Sequence, residues 1–141
     1  MSMKEELLIN SKVREGDFKR GGEVSSKLKE TLKQLDLDAK IIRKASIIAY
    51  ELEINIIIHS QGGFLKVKIS PEQIVIIAED DGPGIEDVDR ALTPGFSTAG
   101  NEVRELGFGA GMGLCNVDKF SDNMEIASDS RGTEVRAELN F

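Results

Sequence analysis

IVIIAEDDGPGI, residues 74–85, decides how the rest of the chain is read. Five apolar residues in a row, 74–78, show no alternation, which is the pattern of a strand covered on both faces and so central in its sheet. Three carboxylates follow, Glu79, Asp80 and Asp81, and then Gly82-Pro83-Gly84. Two readings fit this junction. One is an ordinary surface turn, for which Asp, Gly and Pro are the usual residues. The other is a strand end built to meet a ligand: glycines let a planar molecule approach the backbone, and a strand-end aspartate accepts a hydrogen bond from an exocyclic amine.

Upstream of the decisive run, FLKVKI (64–69) alternates and reads as a hairpin partner joined through SPEQ (70–73). Before it, residues 38–59 carry Ile41, Ala45, Ile48, Leu52 and Ile56 at helical spacing, with Asp38 as N-cap and QGG (61–63) as the stop. A shorter helix is expected in 21–37, striped by Val24, Leu28, Leu32 and Leu35, and a first strand in 4–13. Downstream, EDVDRAL (86–92) reads as a short helix. The glycine-punctuated stretch 93–111 reads as a lid, since so long a segment without regular structure inside a compact domain is usually functional. A short helix over 113–122 and a closing hairpin, 124–129 with 133–141, complete the chain. The expected architecture is α+β: a two-layer sandwich of one mixed, mostly antiparallel sheet with its helices on one face.

The 141 residues predict one domain, 1–141, long enough to bury about 70% of its unfolded surface. Apolar content of 40% and charged content of 30% fit a soluble globular protein. No apolar run is long enough to cross a membrane, and MSMKEELLIN lacks the basic-then-apolar pattern of a signal peptide. A single cysteine, Cys115, excludes an internal disulfide and points to a reducing, cytoplasmic setting. Net charge of −7 argues against nucleic acid and anionic membrane as partners.

Four groups of residues carry candidate chemistry. Glu51 and Asn55 stand four apart on one helix face, bordering the apolar stripe. They are either its solvent edge or a general base and an oxygen ligand for Mg²⁺. Asp80 with Gly82 and Gly84 is the second group. The third is Gly107-Phe108-Gly109-Ala110-Gly111-Met112-Gly113, whose freed backbone N–H groups open onto a helix and suit phosphate oxygens. It lacks the Gly-Lys-Ser/Thr of a P-loop. Gly132-Thr133 opens the last strand and is, alone, a turn. Arg104, within the expected lid, is either solvated or within reach of a terminal phosphate. Cys115 reads as a small buried side chain, and His59 as a helix-end residue.

In order, Glu51-x-x-x-Asn55, Asp80-x-Gly82-x-Gly84, Gly109-x-Gly111-x-Gly113 and Gly132-Thr133 resemble the motifs of the GHKL (Bergerat-fold, histidine-kinase-like) ATPase superfamily. The resemblance runs from about residue 22 to the end. The chain has no room for a transducer domain or a phosphoacceptor helix pair. It is thus most similar to the stand-alone anti-sigma-factor and stressosome serine kinases, and IIAEDDGPGI, PGFSTAG and GAGMGL look most like the RsbT type. NEVRELGF (101–108) is longer than the corresponding lid of that type.

The resemblance implies an ATP- and Mg²⁺-dependent protein serine/threonine kinase of a partner-switching module, with a small STAS-type antagonist protein as substrate. A sigma factor or a regulatory phosphatase is a further implied partner, and relatives include monomers and homodimers. Asp80 would bind the adenine amine, with Gly82, Gly84 and Thr133 shaping that pocket. Asn55 would hold Mg²⁺, Glu51 would act as base, and Gly109, Gly111 and Gly113 would wrap the phosphates. The alternative is a regulatory binding module, such as an anti-sigma factor, whose nucleotide controls association without efficient transfer. Glu51 favours the kinase, because binding alone needs Asn55 and Asp80 but no base.

Overall fold

The computed structural model describes residues 6–13, 21–59, 62–80, 113–129 and 132–141. The expected 86–92 helix and the 93–111 lid lie outside them. Eight elements follow in order: β1 (Glu6–Val13), α1 (Glu23–Gln34), α2 (Ala39–His59), β2 (Gly63–Ile69), β3 (Gln73–Asp80), α3 (Gly113–Phe120), β4 (Asn123–Asp129) and β5 (Gly132–Asn140). The strands form one sheet in the order β1-β2-β3-β5-β4, every described pair antiparallel. This is the α+β architecture expected, and the decisive apolar run is its middle strand.

Two covers explain why β3 lacks alternation. Ile74, Ile76 and Ala78 join the core under the helices, packed with Leu28, Leu32, Ile48, Leu52 and Ile56. Val75 and Ile77 are equally buried but stand outside that cluster, on the opposite face. Their cross-strand neighbours are long charged side chains: Lys68 and Glu138 flank Val75, and Lys66 and Arg136 flank Ile77. Lys66 pairs with Glu79 at 3.1 Å, and Arg136 with Glu138 at 3.2 Å. Among the described residues, ion-paired heads in water with aliphatic stems laid over the apolar residues cover this second face.

α2 is the central helix. It packs against α1 and α3 and crosses β1, β2, β3 and β5. Its start is set as the sequence predicts, with the Lys40 amide donating to Asp38 Oδ1 at 2.8 Å. After it, Gly62 takes φ 102°, the left-handed conformation that suits glycine beyond a helix end. α1 differs from its expected extent. It ends at Gln34, so Leu35 becomes its C-cap and stays 47% exposed while Val24, Leu28 and Leu32 are buried. Among the described residues, no helix is long and apolar enough to cross a membrane.

Candidate nucleotide site

The end of β3 carries the first half of the site. Asp80 stands opposite Gly63 of β2 on one side and Thr133 of β5 on the other. Thr133 in turn faces Ser128 of β4. The Thr133 backbone N–H donates to Asp80 Oδ1 at 3.1 Å, fixing the carboxylate at the sheet's rim. The Thr133 hydroxyl, itself buried, shares a hydrogen bond with Ser128 Oγ at 2.8 Å. Asp80 and Thr133, 53 positions apart in sequence, therefore form one unit. Glu79 points to the other face, where Lys66 holds it, as strand alternation requires.

Gly63 has a role that its place after a helix hides. A Cβ there would run into the Glu79 carbonyl oxygen and come within 2.8 Å of Asp80 Cα. Only glycine lets β2 lie this close to the end of β3, so Gly63 fixes where Asp80 sits.

α2 carries the second half. Glu51 and Asn55 are both half-buried, one turn apart on the same face. Three residues separate His59, the last of α2, from Gly63, so at most about 15 Å of chain joins the helix end to the Asp80 row. The C-terminal part of α2 and the Asp80–Thr133 unit therefore occupy the same end of the molecule. Glu51 Oε1 accepts a hydrogen bond from Asn116 Nδ2 at 3.2 Å, across 65 positions of sequence. Asn116 lies in the first turn of α3, which Gly113 opens. Among the described residues this is the hydrogen bond that Glu51 accepts.

A metal would have to share its ligands here. Among the described residues no three His, Cys, Asp or Glu gather into a group able to hold an ion. A half-buried amide oxygen is compatible with Mg²⁺, which keeps several oxygen ligands from phosphates and water. Asn55 thus fits as one ligand among several.

Glu53, the next acidic residue on α2, has a different task. It is 2% exposed, and its two oxygens accept the Val24 and Ser25 amides at 3.3 Å each. Those are among the N–H groups that a helix start leaves without partners, and Gly22 at the cap has no side chain to serve them. Burial pushes the Glu53 carboxyl above its ordinary value, opposed in part by these backbone hydrogen bonds.

Of the predicted site residues, Glu51, Asn55, Asp80, Gly113 and Thr133 are described; Gly82, Gly84, Arg104, Gly109 and Gly111 lie outside the described residues. The sequence reading missed Gly63, Asn116, Ser128 and Glu53. Only Glu53 leaves a sequence signal: it interrupts the row Ala45, Ala49, Ile57, whose other members are buried.

A profile of the family described as "Histidine kinase-, DNA gyrase B-, and HSP90-like ATPase" matches residues 42–141, which contain both halves of the site. The chain belongs to this ATPase family. Within it, the chain is similar to the anti-sigma F factor of Clostridium novyi (strain NT), 33% identical over 111 residues, 74% of each chain. It is 36% identical over 109 residues to the anti-sigma F factor of Thermoanaerobacter sp. (strain X514), 73% of each. Over 63 residues it is 41% identical to the serine/threonine-protein kinase RsbT of Bacillus subtilis (strain 168), covering 44% of this chain and 41% of that protein. The family is that of the resemblance read from the motifs, and nucleotide binding is the common ground of the three functions that its description names.

Proposed function

We propose that this chain is an ATP- and Mg²⁺-dependent protein serine/threonine kinase of a partner-switching module, acting on a small STAS-type antagonist protein. The observation that carries the reading is Glu51: a half-buried carboxylate beside the opening turn of α3, one helical turn from Asn55. A nucleotide-binding module has no need of a base at this point; a kinase does. In the proposed reaction a serine or threonine oxygen attacks the γ-phosphorus of ATP. The new O–P bond forms as the bond to the departing ADP breaks, and the hydroxyl proton passes to the Glu51 carboxylate. Asp80, held by the Thr133 amide, accepts the adenine amine. Asn55 would hold Mg²⁺, which when bound would offset the charge of the phosphates. Gly82, Gly84, Gly109, Gly111, Gly113 and Arg104 keep the roles that the resemblance implies.

The test is transfer of labelled phosphate from Mg-ATP to a STAS-domain protein, with nucleotide affinity measured on the same samples. Glu51→Ala should lower transfer by a factor of about 100 or more, since general bases contribute roughly 10²–10⁴, and should leave ATP affinity within about twofold. ATP binding by the wild type without transfer to any such partner would sink the kinase reading.

A second reading has one observation in its favour. The relatives matched over about three quarters of their length carry the name anti-sigma F factor. On that reading the chain holds a sigma factor, and bound nucleotide selects the conformation that does so. Glu51→Ala would then leave partner binding and its nucleotide dependence unchanged.

A further inference from the structure

We propose that Asn116 is the positioning residue for Glu51, an inference that rests on the kinase reading. Glu51 stands on α2 and has no acidic or basic partner among the described residues that would fix its rotamer. Its single described restraint is the Asn116 amide, which donates to Oε1 at 3.2 Å. That donor sits in the first turn of the helix that Gly113 opens, so the carboxylate is tied to a side chain of α3. With Oε1 held, Oε2 would be left for the substrate hydroxyl.

The chemistry of the donor suits a base. A Lys or Arg in the same place would also orient Glu51, but a full positive charge favours the ionised carboxylate and weakens it as a proton acceptor. A neutral amide orients the group without adding a charge beside it. Asn116 is half-buried, so its hydrogen bond is partly shielded from competing water. The bond also joins α2 and α3, which could be its whole purpose. Turnover, rather than stability, separates these two roles.

The experiment compares steady-state transfer by wild type, Asn116→Leu, Asn116→Asp, Asn116→Gln, Glu51→Gln and the Glu51→Gln/Asn116→Leu double variant, with ATP affinity measured for each. Misplacing a reacting group by about an ångström costs up to about a hundredfold in rate. Asn116→Leu should therefore lower kcat by about tenfold to a hundredfold, with KM for ATP within about twofold. Asn116→Asp, which removes the donor and sets a like charge against Glu51, should do at least as much. Asn116→Gln, which keeps the NH₂ donor, should recover part of the loss. In the Glu51→Gln background, Asn116→Leu should have no further effect. Unchanged kcat in Asn116→Leu and Asn116→Asp would overturn the positioning role while leaving the kinase reading intact. So would an equal fall in both backgrounds. Absence of transfer from the wild type itself would overturn the kinase reading and this inference with it.

Discussion

At the scale of single residues, two acids two positions apart on one helix have opposite fates. Glu51 stays half-buried at the rim with one amide donor, while Glu53 is sealed in as a remote cap for α1. Burial of a carboxylate is tolerated because two backbone N–H groups that the start of α1 would otherwise leave unsatisfied supply its hydrogen bonds. Replacing Glu53 with Ala should cost about 2–3 kcal/mol, because it strips a buried acceptor from two amides; equilibrium unfolding in urea measures this. The pH dependence has a definite sign. The folded carboxyl titrates above its ordinary value of 4.5, so in the window above that value the folded state holds the proton more tightly than the unfolded chain. The Glu53 contribution is full at low pH and declines as pH rises through the folded-state value. Urea midpoints between pH 4 and 7 should show that decline in the wild type, and Glu53→Gln should remove it. An identical pH profile in Glu53→Gln would contradict this account.

At the scale of elements, the close approach of β2 to the end of β3 sets the position of Asp80. Gly63→Ala must push the strands apart, because the clash is with backbone rather than with a side chain that could turn away. Overpacking of this kind costs about 1–3 kcal/mol, and here the displaced residue is Asp80 itself. ADP affinity should fall along with the unfolding midpoint; a stability loss with unchanged affinity would show that Asp80 tolerates the shift. The elements themselves were largely legible in the sequence. A five-residue apolar run bounded by turn residues fits a strand covered on both faces, and β3 is that strand. Asp38 before a striped segment can cap it, and it does. Leu35 misled because its spacing continues the α1 stripe, while the helix stops one residue earlier. Gly63 misled in another way: a glycine pair after a helix reads as a stop, and nothing in its neighbours reports how near another strand will pass. Asn116 was illegible for a related reason. Its partner lies 65 positions earlier, and an asparagine in a short helix produces no periodicity.

At the scale of the whole molecule, the described residues make one sheet with a core on one side and an ion-paired cover on the other, and the candidate site residues lie toward one end. Strand ends from β3, β5 and β4 supply Asp80, Thr133 and Ser128, while α2 and α3 bring Glu51, Asn55 and Asn116. Asp80 and Thr133 were readable because they stand at strand ends, where acidic residues and turn signals are conspicuous. Their joining across the sheet was readable only by resemblance, since no local pattern predicts that residue 80 will meet residue 133. With a net charge of −7, the protein supplies little positive field for a triphosphate, so metal dependence should be pronounced. The most direct test is calorimetric titration of ATP and ADP, with and without Mg²⁺, into the wild type, Asn55→Ala and Asp80→Asn. The account predicts that wild-type binding strengthens with Mg²⁺. Asn55→Ala should lose that strengthening, and Asp80→Asn should bind both nucleotides at least about tenfold more weakly, the effect of losing roughly 1.4 kcal/mol. Binding of equal strength in all three proteins, or no binding to the wild type, would contradict it.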